Sequence, residues 1–198
     1  MSQDFSRRDF LKVSSAVGVG LVISVALPYK ERLVAAGIVE NSFEPNVWIK
    51  ISPDNTVVIT LAKSEMGQHI RTSIPMIVAE ELNADWSQVN VVQADTHPDK
   101  YGSQSTGGSG SIRRSYIRLR KAGATAREML VSAAALKWEV PASECKAYMS
   151  EVIHSKSKRS LKFGDLISLA GKLDAPIDPI LKDEKDFTLI GKSLPGLD

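Results

Sequence analysis

The fold is decided by the stretch "TVVITLAKSEMGQHIRTSIPMIVAEELNADWSQVNVVQA", residues 56–94, in which the spacing of apolar side chains changes twice. Residues 56–62 are apolar and rich in β-branched side chains, which predicts a strand. In residues 72–83 the apolar side chains recur every three or four positions behind a Thr-Ser pair that can cap them, which predicts a helix. Residues 88–94 predict the next strand. This order favours an α+β fold or a split βαβ unit.

The flanking segments extend this unit on both sides. Upstream, residues 46–52 alternate apolar and polar side chains, and the turn sequence "PDN" joins them to the next strand as a β-hairpin. Downstream, residues 112–137 predict a long helix whose small and apolar residues form one stripe that packs against a sheet. Residues 145–155 predict a short hairpin, and residues 163–173 predict a short helix. We therefore predict an α+β domain with a mixed sheet and packed helices.

The segment "STGGSGS", residues 105–111, leads directly into the long helix. A glycine-rich turn at a helix start presents free backbone N–H groups at the positive end of the helix dipole, which suits a phosphate or pyrophosphate. Thr106, Ser109 and Ser111 supply hydroxyl donors, and an Arg-Arg pair follows. The segment matches neither the Walker A motif nor GxGxxG. Its composition also suits a capped loop or a flexible linker, and the chemistry alone leaves these alternatives open.

A second loop, "SEMGQHIRTSIPM" at residues 64–76, also joins a strand to a helix. Gly67 permits an unusual backbone angle, and Gln68 offers both a hydrogen-bond donor and an acceptor. Taken alone, this loop is a simple turn with a cap. In a βαβα unit, however, strand-to-helix loops lie at the same edge of the sheet, where ligands bind. We therefore expect one flat polar ligand that carries phosphates to contact both loops.

The N-terminus has the pattern of an export signal. The basic segment "SRRDFLK", residues 6–12, precedes an uncharged apolar run at residues 13–29. This order is typical of a signal peptide, and the Arg-Arg pair indicates a twin-arginine signal. We predict that residues 1–36 are this signal or an uncleaved membrane anchor, since the run is close to the roughly 20 residues that span a membrane. The twin-arginine translocase is the implied partner, and the periplasm is the implied location.

Composition excludes several classes of function. The net charge of +2 gives no basis for a broad nucleic-acid-binding surface. A single cysteine, Cys145, excludes an intrachain disulfide and an iron–sulfur cluster held by this chain alone. His69, His97 and His154 lack the spacing of metal ligands, and we interpret each as a surface or loop residue. No metal-binding residue is therefore predicted.

Two motifs together indicate a family. The pattern "SEMGQxxxTxxPMxVAEELxADW" followed by "TGGSxSxR" resembles the large, molybdopterin-binding subunits of the xanthine dehydrogenase/aldehyde oxidase class. The resemblance is strongest to the isoquinoline 1-oxidoreductase beta-subunit type. It covers nearly the whole chain, including the twin-arginine leader, "FEPNVWIKISPDNTVVI" and "AGATAREMLVSAAALKWEVP". These long stretches are more specific than either motif.

The resemblance implies that both loops bind molybdopterin cytosine dinucleotide within a domain at residues 37–173. Residues 174–198 would connect this domain to the remainder of the subunit. Thr72 and Arg113 match family positions with a less direct role. His69 stands where the family usually has a second glycine, so its side chain would narrow the approach of the cofactor or shift the loop. The positions that match cofactor contacts are Gly67, Gln68, Thr106, Gly107, Gly108, Ser109 and Ser111.

The resemblance also implies a reaction. Intact relatives hydroxylate a carbon next to nitrogen in an N-heterocycle, or oxidise an aldehyde, with water as the oxygen source. Their molybdenum centre passes electrons to a small subunit that carries [2Fe-2S] clusters. Their catalytic base is a glutamate in a "GEP" segment, which this sequence lacks. Glu65 belongs to the cofactor loop, and we place Glu80 and Glu81 on a helix surface.

We therefore expect this chain to be the N-terminal, cofactor-binding part of such an oxidoreductase, inactive without the remainder of the subunit. No catalytic residue is assigned within it. The alternative is an exported, non-catalytic binding or interaction domain derived from the same fold.

Overall fold

Two sheets and four helices form the part of the chain that the computed structural model describes, which is residues 21–24 and 47–197. Most of the predicted signal or anchor segment, residues 1–36, lies outside the described residues. The strands are β1 (Leu21–Ser24), β2 (Val47–Ile51), β3 (Val57–Leu61), β4 (Val89–Gln93), β5 (Cys145–Tyr148), β6 (Glu151–His154) and β7 (Ser160–Lys162), and the helices are α1 (Ile70–Leu82), α2 (Pro98–Tyr101), α3 (Tyr116–Trp138) and α4 (Ile167–Ala170).

The main sheet has the strand order β1-β2-β3-β4 and is mixed, as predicted. Strand β2 pairs with both β1 and β3 in antiparallel fashion, so the predicted hairpin is confirmed. Strand β4 pairs with β3 in parallel, and α1 connects the two, which confirms the βαβ-type unit. Every second residue of β3 is buried, from Val57 through Ile59 to Leu61, because side chains of a strand alternate between its faces.

Helix α1 begins two residues earlier than predicted, and its cap differs. The residue before its first turn is His69, whose side chain makes no capping hydrogen bond, so the expected Thr-Ser cap is wrong. Thr72 and Ser73 lie inside the helix instead, and Pro75 follows in its interior. The Glu65 side chain accepts the hydrogen bonds that a cap would otherwise receive, as described below.

Helix α3 begins at Tyr116, later than the predicted residue 112, because residues 111–115 form turns. Its buried stripe of small residues approaches α1 rather than the sheet, which corrects that expectation. A Cβ added at Gly123 would lie 2.5 Å from the Val78 carbonyl oxygen and 2.8 Å from the Glu81 Cβ. Only glycine therefore permits the two helices to cross at this distance.

The two adjacent glutamates of α1 are buried, which corrects the expectation that they lie on a helix surface. Glu81 accepts a hydrogen bond from Arg120 Nε at 2.7 Å and from Arg127 Nη1 at 3.1 Å. Both arginines belong to α3, so this carboxylate joins the two helices. Burial of a charge is tolerated because the charge is paired and hydrogen-bonded.

Glu80 binds the C-terminal segment of the chain. Its carboxylate accepts hydrogen bonds from the backbone N–H groups of Thr188 at 2.9 Å, Leu189 at 2.6 Å and Ile190 at 2.9 Å, and it forms an ion pair with Lys182. Burial acts to raise the pKa of Glu80, but the Lys182 ammonium and the three N–H groups outweigh it and hold the pKa below its usual value.

The same segment continues along α1 to its first turn. Trp86 Nε1 donates to the Pro195 carbonyl at 3.1 Å, and Arg71 Nε donates to the Leu197 carbonyl at 2.9 Å. The Leu197 N–H donates to Thr72 Oγ1 at 3.2 Å, so Thr72 holds this segment. Residues 174–197 are thus docked on the domain. Their role as a connector to a remainder of the subunit stays a prediction.

A smaller antiparallel sheet, β5-β6-β7, covers one end of α3 and confirms the predicted hairpin at residues 145–155. Strand β7 was not predicted, and α4 is shorter than the helix expected at residues 163–173. His154 is buried and its Nε2 lies 3.0 Å from Glu144 Oε2, so its interpretation as a surface or loop residue is wrong. None of the helices in the described residues is long and apolar enough to span a membrane.

Candidate functional site

Two loops meet at the carboxyl edge of the β3–β4 pair. Because β3 and β4 are parallel, both strands end at the same edge, where Leu61 pairs with Gln93. We name residues 62–69, between β3 and α1, the EMGQ loop, and residues 102–115, between α2 and α3, the Gly/Ser loop.

The two loops are joined by hydrogen bonds, as the sequence predicted from their topology. Thr106 Oγ1 of the Gly/Ser loop donates to the Ser64 carbonyl of the EMGQ loop at 3.0 Å. Lys63 Nζ donates in the other direction, to the carbonyls of Ser103 and of Ser105, the latter at 3.1 Å. The two loops therefore present one continuous surface.

The EMGQ loop is folded around the carboxylate of Glu65. Glu65 Oε1 accepts from the backbone N–H groups of Met66 at 3.0 Å, Gly67 at 2.7 Å and His69 at 3.1 Å. Glu65 Oε2 accepts from the Arg71 N–H in the first turn of α1, at 3.0 Å. The Arg71 N–H is the main group that lowers the pKa of Glu65 to about 2, with the other loop N–H groups opposing the small effect of burial. Glu65 is thus a fixed anion at the start of α1.

The predicted contacts Gly67 and Gln68 are held by this fold. Gln68 Nε2 donates to the Ser64 carbonyl at 2.9 Å, and Gln68 Oε1 accepts from the Met66 N–H at 2.6 Å. Gly67 has a φ of +91°, which side chains rarely adopt, and a Cβ added there would meet no atom within 4 Å. The Gly67 N–H is therefore occupied by Glu65, while the side of Gly67 that a Cβ would fill is open.

His69 has a left-handed backbone, with a φ of 59° and a ψ of 31°. Glycine adopts this conformation without strain, which explains physically why a glycine is usual at this position in the resembling family. Histidine is among the side chains that tolerate it best. The His69 carbonyl accepts from the N–H groups of Thr72 and Ser73, so the loop is bent, not displaced, at this residue.

The Gly/Ser loop differs because its donors remain free. Gly108 and Ser109 both have positive φ, 58° and 50°, and the Gly107 carbonyl accepts from the Gly110 N–H at 3.2 Å. Among the described residues, no acceptor lies within hydrogen-bonding distance of the N–H groups of four predicted contacts: Gly107, Gly108, Ser109 and Ser111. The first three are exposed, and Ser111 is half-buried.

Positive charge is concentrated around this loop. The Arg114 side chain folds back on it, with Nη2 4.0 Å from the position of a Cβ on Gly108. Burial lowers the pKa of Lys63, and the charges of Arg118 and Arg114 lower it further. Within residues 47–197, neither Lys63 nor these two arginines forms an ion pair with a carboxylate. Free N–H groups beside unpaired cations fit an anionic ligand.

The sequence had indicated Arg113 but not Lys63 or Arg118. Arg113 is exposed at the turn before α3, whereas Arg118 lies 4.8 Å, guanidinium carbon to ring centroid, over the Trp48 ring. The four-residue spacing of Arg114 and Arg118 was the available signal, because it places both on one side of a helix start. Nowhere in the described residues do three His, Cys, Asp or Glu side chains form a possible metal site.

Comparison with known proteins gives the following similarities. A family model described as "Molybdopterin cofactor-binding domain" matches residues 6–188. The chain is 36% identical over 173 residues to isoquinoline 1-oxidoreductase subunit beta of Brevundimonas diminuta, covering 82% of this chain and 22% of that protein. It is 34% identical over 169 residues to the membrane-bound aldehyde dehydrogenase [pyrroloquinoline-quinone] of Gluconacetobacter polyoxogenes, covering 82% of this chain and 21% of that protein.

A solved structure is also similar. The crystal structure of the Cu,Mo-CO dehydrogenase in the carbon monoxide reduced state aligns with a TM-score of 0.50 and 18% identity. The alignment covers 78% of this chain and 20% of that chain, and it shows a shared fold. The chain spans about one fifth of the length of the curated relatives it matches.

Proposed function

Since the chain belongs to the molybdopterin cofactor-binding domain family, we propose that it is the N-terminal, cofactor-binding part of a molybdenum-dependent oxidoreductase. The observation that carries this proposal is the hydrogen bond from Thr106 to the Ser64 carbonyl, which joins the two family motifs into one surface. The names of its relatives, an isoquinoline oxidoreductase and an aldehyde dehydrogenase, support N-heterocycles or aldehydes as substrates of the whole enzyme.

The donors of this surface fit the proposed cofactor, molybdopterin cytosine dinucleotide, because its pyrophosphate is an anion. The free N–H groups of Gly107, Gly108 and Ser109 and the Ser111 hydroxyl would hold phosphate oxygens, with Arg114 beside them. The open face of Gly67 and the fixed amide of Gln68 would hold a flat, polar part of the cofactor.

When bound, the cofactor supplies the molybdenum centre at which a substrate is oxidised with water as the oxygen source. This chain's residues bind and orient it, and they supply no base. The Glu65 carboxylate accepts four backbone N–H groups, and Glu80 and Glu81 are buried in ion pairs. A base and a substrate channel would come from the remainder of the subunit. Electrons would pass to a [2Fe-2S] partner subunit, and this chain would be inactive alone.

We also propose export by the twin-arginine translocase to the periplasm, with residues 1–36 as a cleaved signal or an anchor. The arginine pair and the apolar run after it support this proposal, as does a family match that begins at residue 6.

The test is to express the chain with and without the remainder of the subunit, then to measure molybdenum and released cytosine nucleotide. We expect close to one equivalent of each in the complete subunit. Thr106→Val removes the bond between the loops and should weaken cofactor retention about fivefold, since a net hydrogen bond contributes roughly 1 kcal/mol. Ser105→Ala is the matched control, because the Ser105 hydroxyl contacts only its neighbour Ser103 at 3.2 Å.

Absence of molybdenum and nucleotide from both forms, with no recovery of activity on adding the remainder, would sink this proposal. A chain that stays folded and monomeric without molybdenum, and that ignores the iron–sulfur subunit, would instead support the non-catalytic binding domain.

A further inference from the structure

We propose that a pocket on the core side of the Gly/Ser loop binds a compact anion. The pocket, here the Trp48 pocket, is lined by Trp48, Lys63, Ser103, Ser115 and Arg118, together with three apolar side chains. It lies where strand β2, the ends of both loops and the start of α3 converge. The anion is a halide ion or a single charged oxygen atom of a phosphate or carboxylate.

The first observation is a pair of buried donors without an acceptor. Trp48 is 3% exposed, and its Nε1–H has no hydrogen-bond partner. Arg118 Nε is also buried, and it too has no partner. These are the two buried side-chain polar atoms of the described residues that lack a partner, and both belong to this one pocket. Native proteins rarely leave such groups unpaired, because an unmet buried donor is costly.

The second observation is that the polar groups of the pocket are mainly donors. The Arg118 guanidinium carbon lies 4.8 Å from the centroid of the Trp48 ring, so the indole and the guanidinium are in direct contact. Lys63 adds an ammonium group, and Ser103 and Ser115 add hydroxyls, which donate as readily as they accept. No lining residue is acidic. An anion can accept from all of these groups at once, whereas a water molecule must also place two hydrogens of its own.

The third observation is unbalanced charge. The charges of Arg118 and Arg114 both act to lower the pKa of Lys63, so the three cations repel one another in the described structure. Burial lowers the pKa of Arg118 as well. A bound anion would offset this repulsion at the point where Lys63 holds the carbonyls of Ser103 and Ser105. It would therefore stabilise the base of the Gly/Ser loop.

This site is separate from the surface assigned to the cofactor. Ala62, Ile74 and Leu119 complete its lining, so it faces the apolar core, whereas the free N–H groups of residues 107–109 are exposed. The inference does not rest on the proposed function, and a cofactor-free chain is sufficient to test it.

The first experiment measures the Tm of the full, cofactor-free chain against chloride concentration, with gluconate replacing chloride so that ionic strength stays constant. A parallel titration uses inorganic phosphate. We expect a saturable rise in Tm with chloride, by mass action on the folded state. Saturation with phosphate at lower concentration would identify an oxoanion oxygen as the preferred ligand. No saturable response to either anion would overturn the proposal.

Variants assign the response to the pocket. Arg118→Met should abolish the saturable rise, whereas Arg113→Met, at an exposed arginine of the turn before α3, should leave it unchanged. Trp48→Phe keeps the stacked ring and removes only the N–H, so it should weaken the response at least threefold even if Arg118→Met fails to fold. Equal responses in all of these variants would show that anions act elsewhere on the chain.

Direct localisation needs no variant. Crystals of the chain soaked in bromide should show an anomalous peak within hydrogen-bonding distance of Trp48 Nε1 and Arg118 Nε. Density without anomalous signal at this position means an ordered water, and it would refute the anion assignment.

Discussion

The EMGQ loop and the Gly/Ser loop occupy equivalent places in the fold, yet they use their backbone donors in opposite ways. Each leads from the carboxyl edge of a strand towards a helix, and each contains glycine. In the EMGQ loop, Glu65 accepts four N–H groups, so the loop is complete without a ligand. In the Gly/Ser loop, the N–H groups of Gly107 to Ser109 meet no acceptor in the described structure. A glycine-rich loop at a helix start is thus a potential anion site only where no carboxylate of its own fills it.

This difference divides the work of the surface. The EMGQ loop is a rigid wall whose shape is set during folding, while the Gly/Ser loop offers unmet donors and cations. Their single direct side-chain bridge, from Thr106 to Ser64, transmits the position of the wall to the donors. The predictions below disturb first the support shared by both loops, then the wall.

The largest effect is expected where α1 and α3 cross, because these helices carry the two loops. Gly123→Val forces a side chain against the Val78 carbonyl, which a Cβ alone would approach to 2.5 Å. We expect a loss of about 3 kcal/mol in the free energy of unfolding, or roughly 10 °C in Tm. Gly107→Ala is the control, since its Cβ meets no atom within 4 Å. Equal Tm values for both variants would show that the helices do not need this close crossing.

Glu65→Ala should convert the wall into a loop with unmet donors. Four N–H groups lose their acceptor, and hydrogen exchange of residues 66–71 should accelerate about tenfold, as expected when a net stabilisation of roughly 1.4 kcal/mol is lost from local opening. Exchange in the Gly/Ser loop should stay the same. Glu65→Gln keeps an acceptor oxygen but loses the charge, and it should give an intermediate rate. Unchanged protection in Glu65→Ala would mean that the loop is ordered by Gln68 alone.

The strands and the neighbourhood of the loops were predictable because local patterns specify them. Alternation in residues 46–52 and the helical period after Gln68 set the βαβ unit, and parallel strands then bring both loops to one edge. The burial of Glu80 and Glu81 was not predictable, since their partners lie elsewhere in the chain and a charged pair on a helix usually faces solvent.

The cap of α1 and the Trp48 pocket show the same limit. A Thr-Ser pair is a good local cap, but the Glu65 side chain reaches the first turn from outside the helix and moves its start. Trp48 and Arg118 are seventy residues apart by their numbers, and only the fold stacks them. Groups that meet through tertiary contact leave little signal in local periodicity.

Acid should affect the wall before the donors. The pKa of Glu65 is lowered to about 2 in the folded chain, below its usual value. A carboxylate with a depressed folded pKa stabilises the fold above its unfolded pKa, and that contribution is lost as pH falls towards the folded value. We expect the amide shifts of Met66, Gly67 and His69 to titrate with a midpoint near pH 2 by NMR, while Gly107 and Gly108 show no matching transition. A midpoint above pH 4 would contradict the four hydrogen bonds to Glu65.

The smallest effect concerns the one residue of the wall that departs from the family pattern. His69 adopts a φ of 59°, so His69→Gly removes the strain of a Cβ in a left-handed backbone, but it also gives the unfolded chain more freedom. These terms oppose each other, and we expect a net gain of about 0.5 kcal/mol in the free energy of unfolding by chemical denaturation. His69→Ala is the matched variant, because it keeps the Cβ and should show no gain. If His69→Ala stabilises the chain as much as His69→Gly, the imidazole and not the backbone is the source of strain at this end of the EMGQ loop.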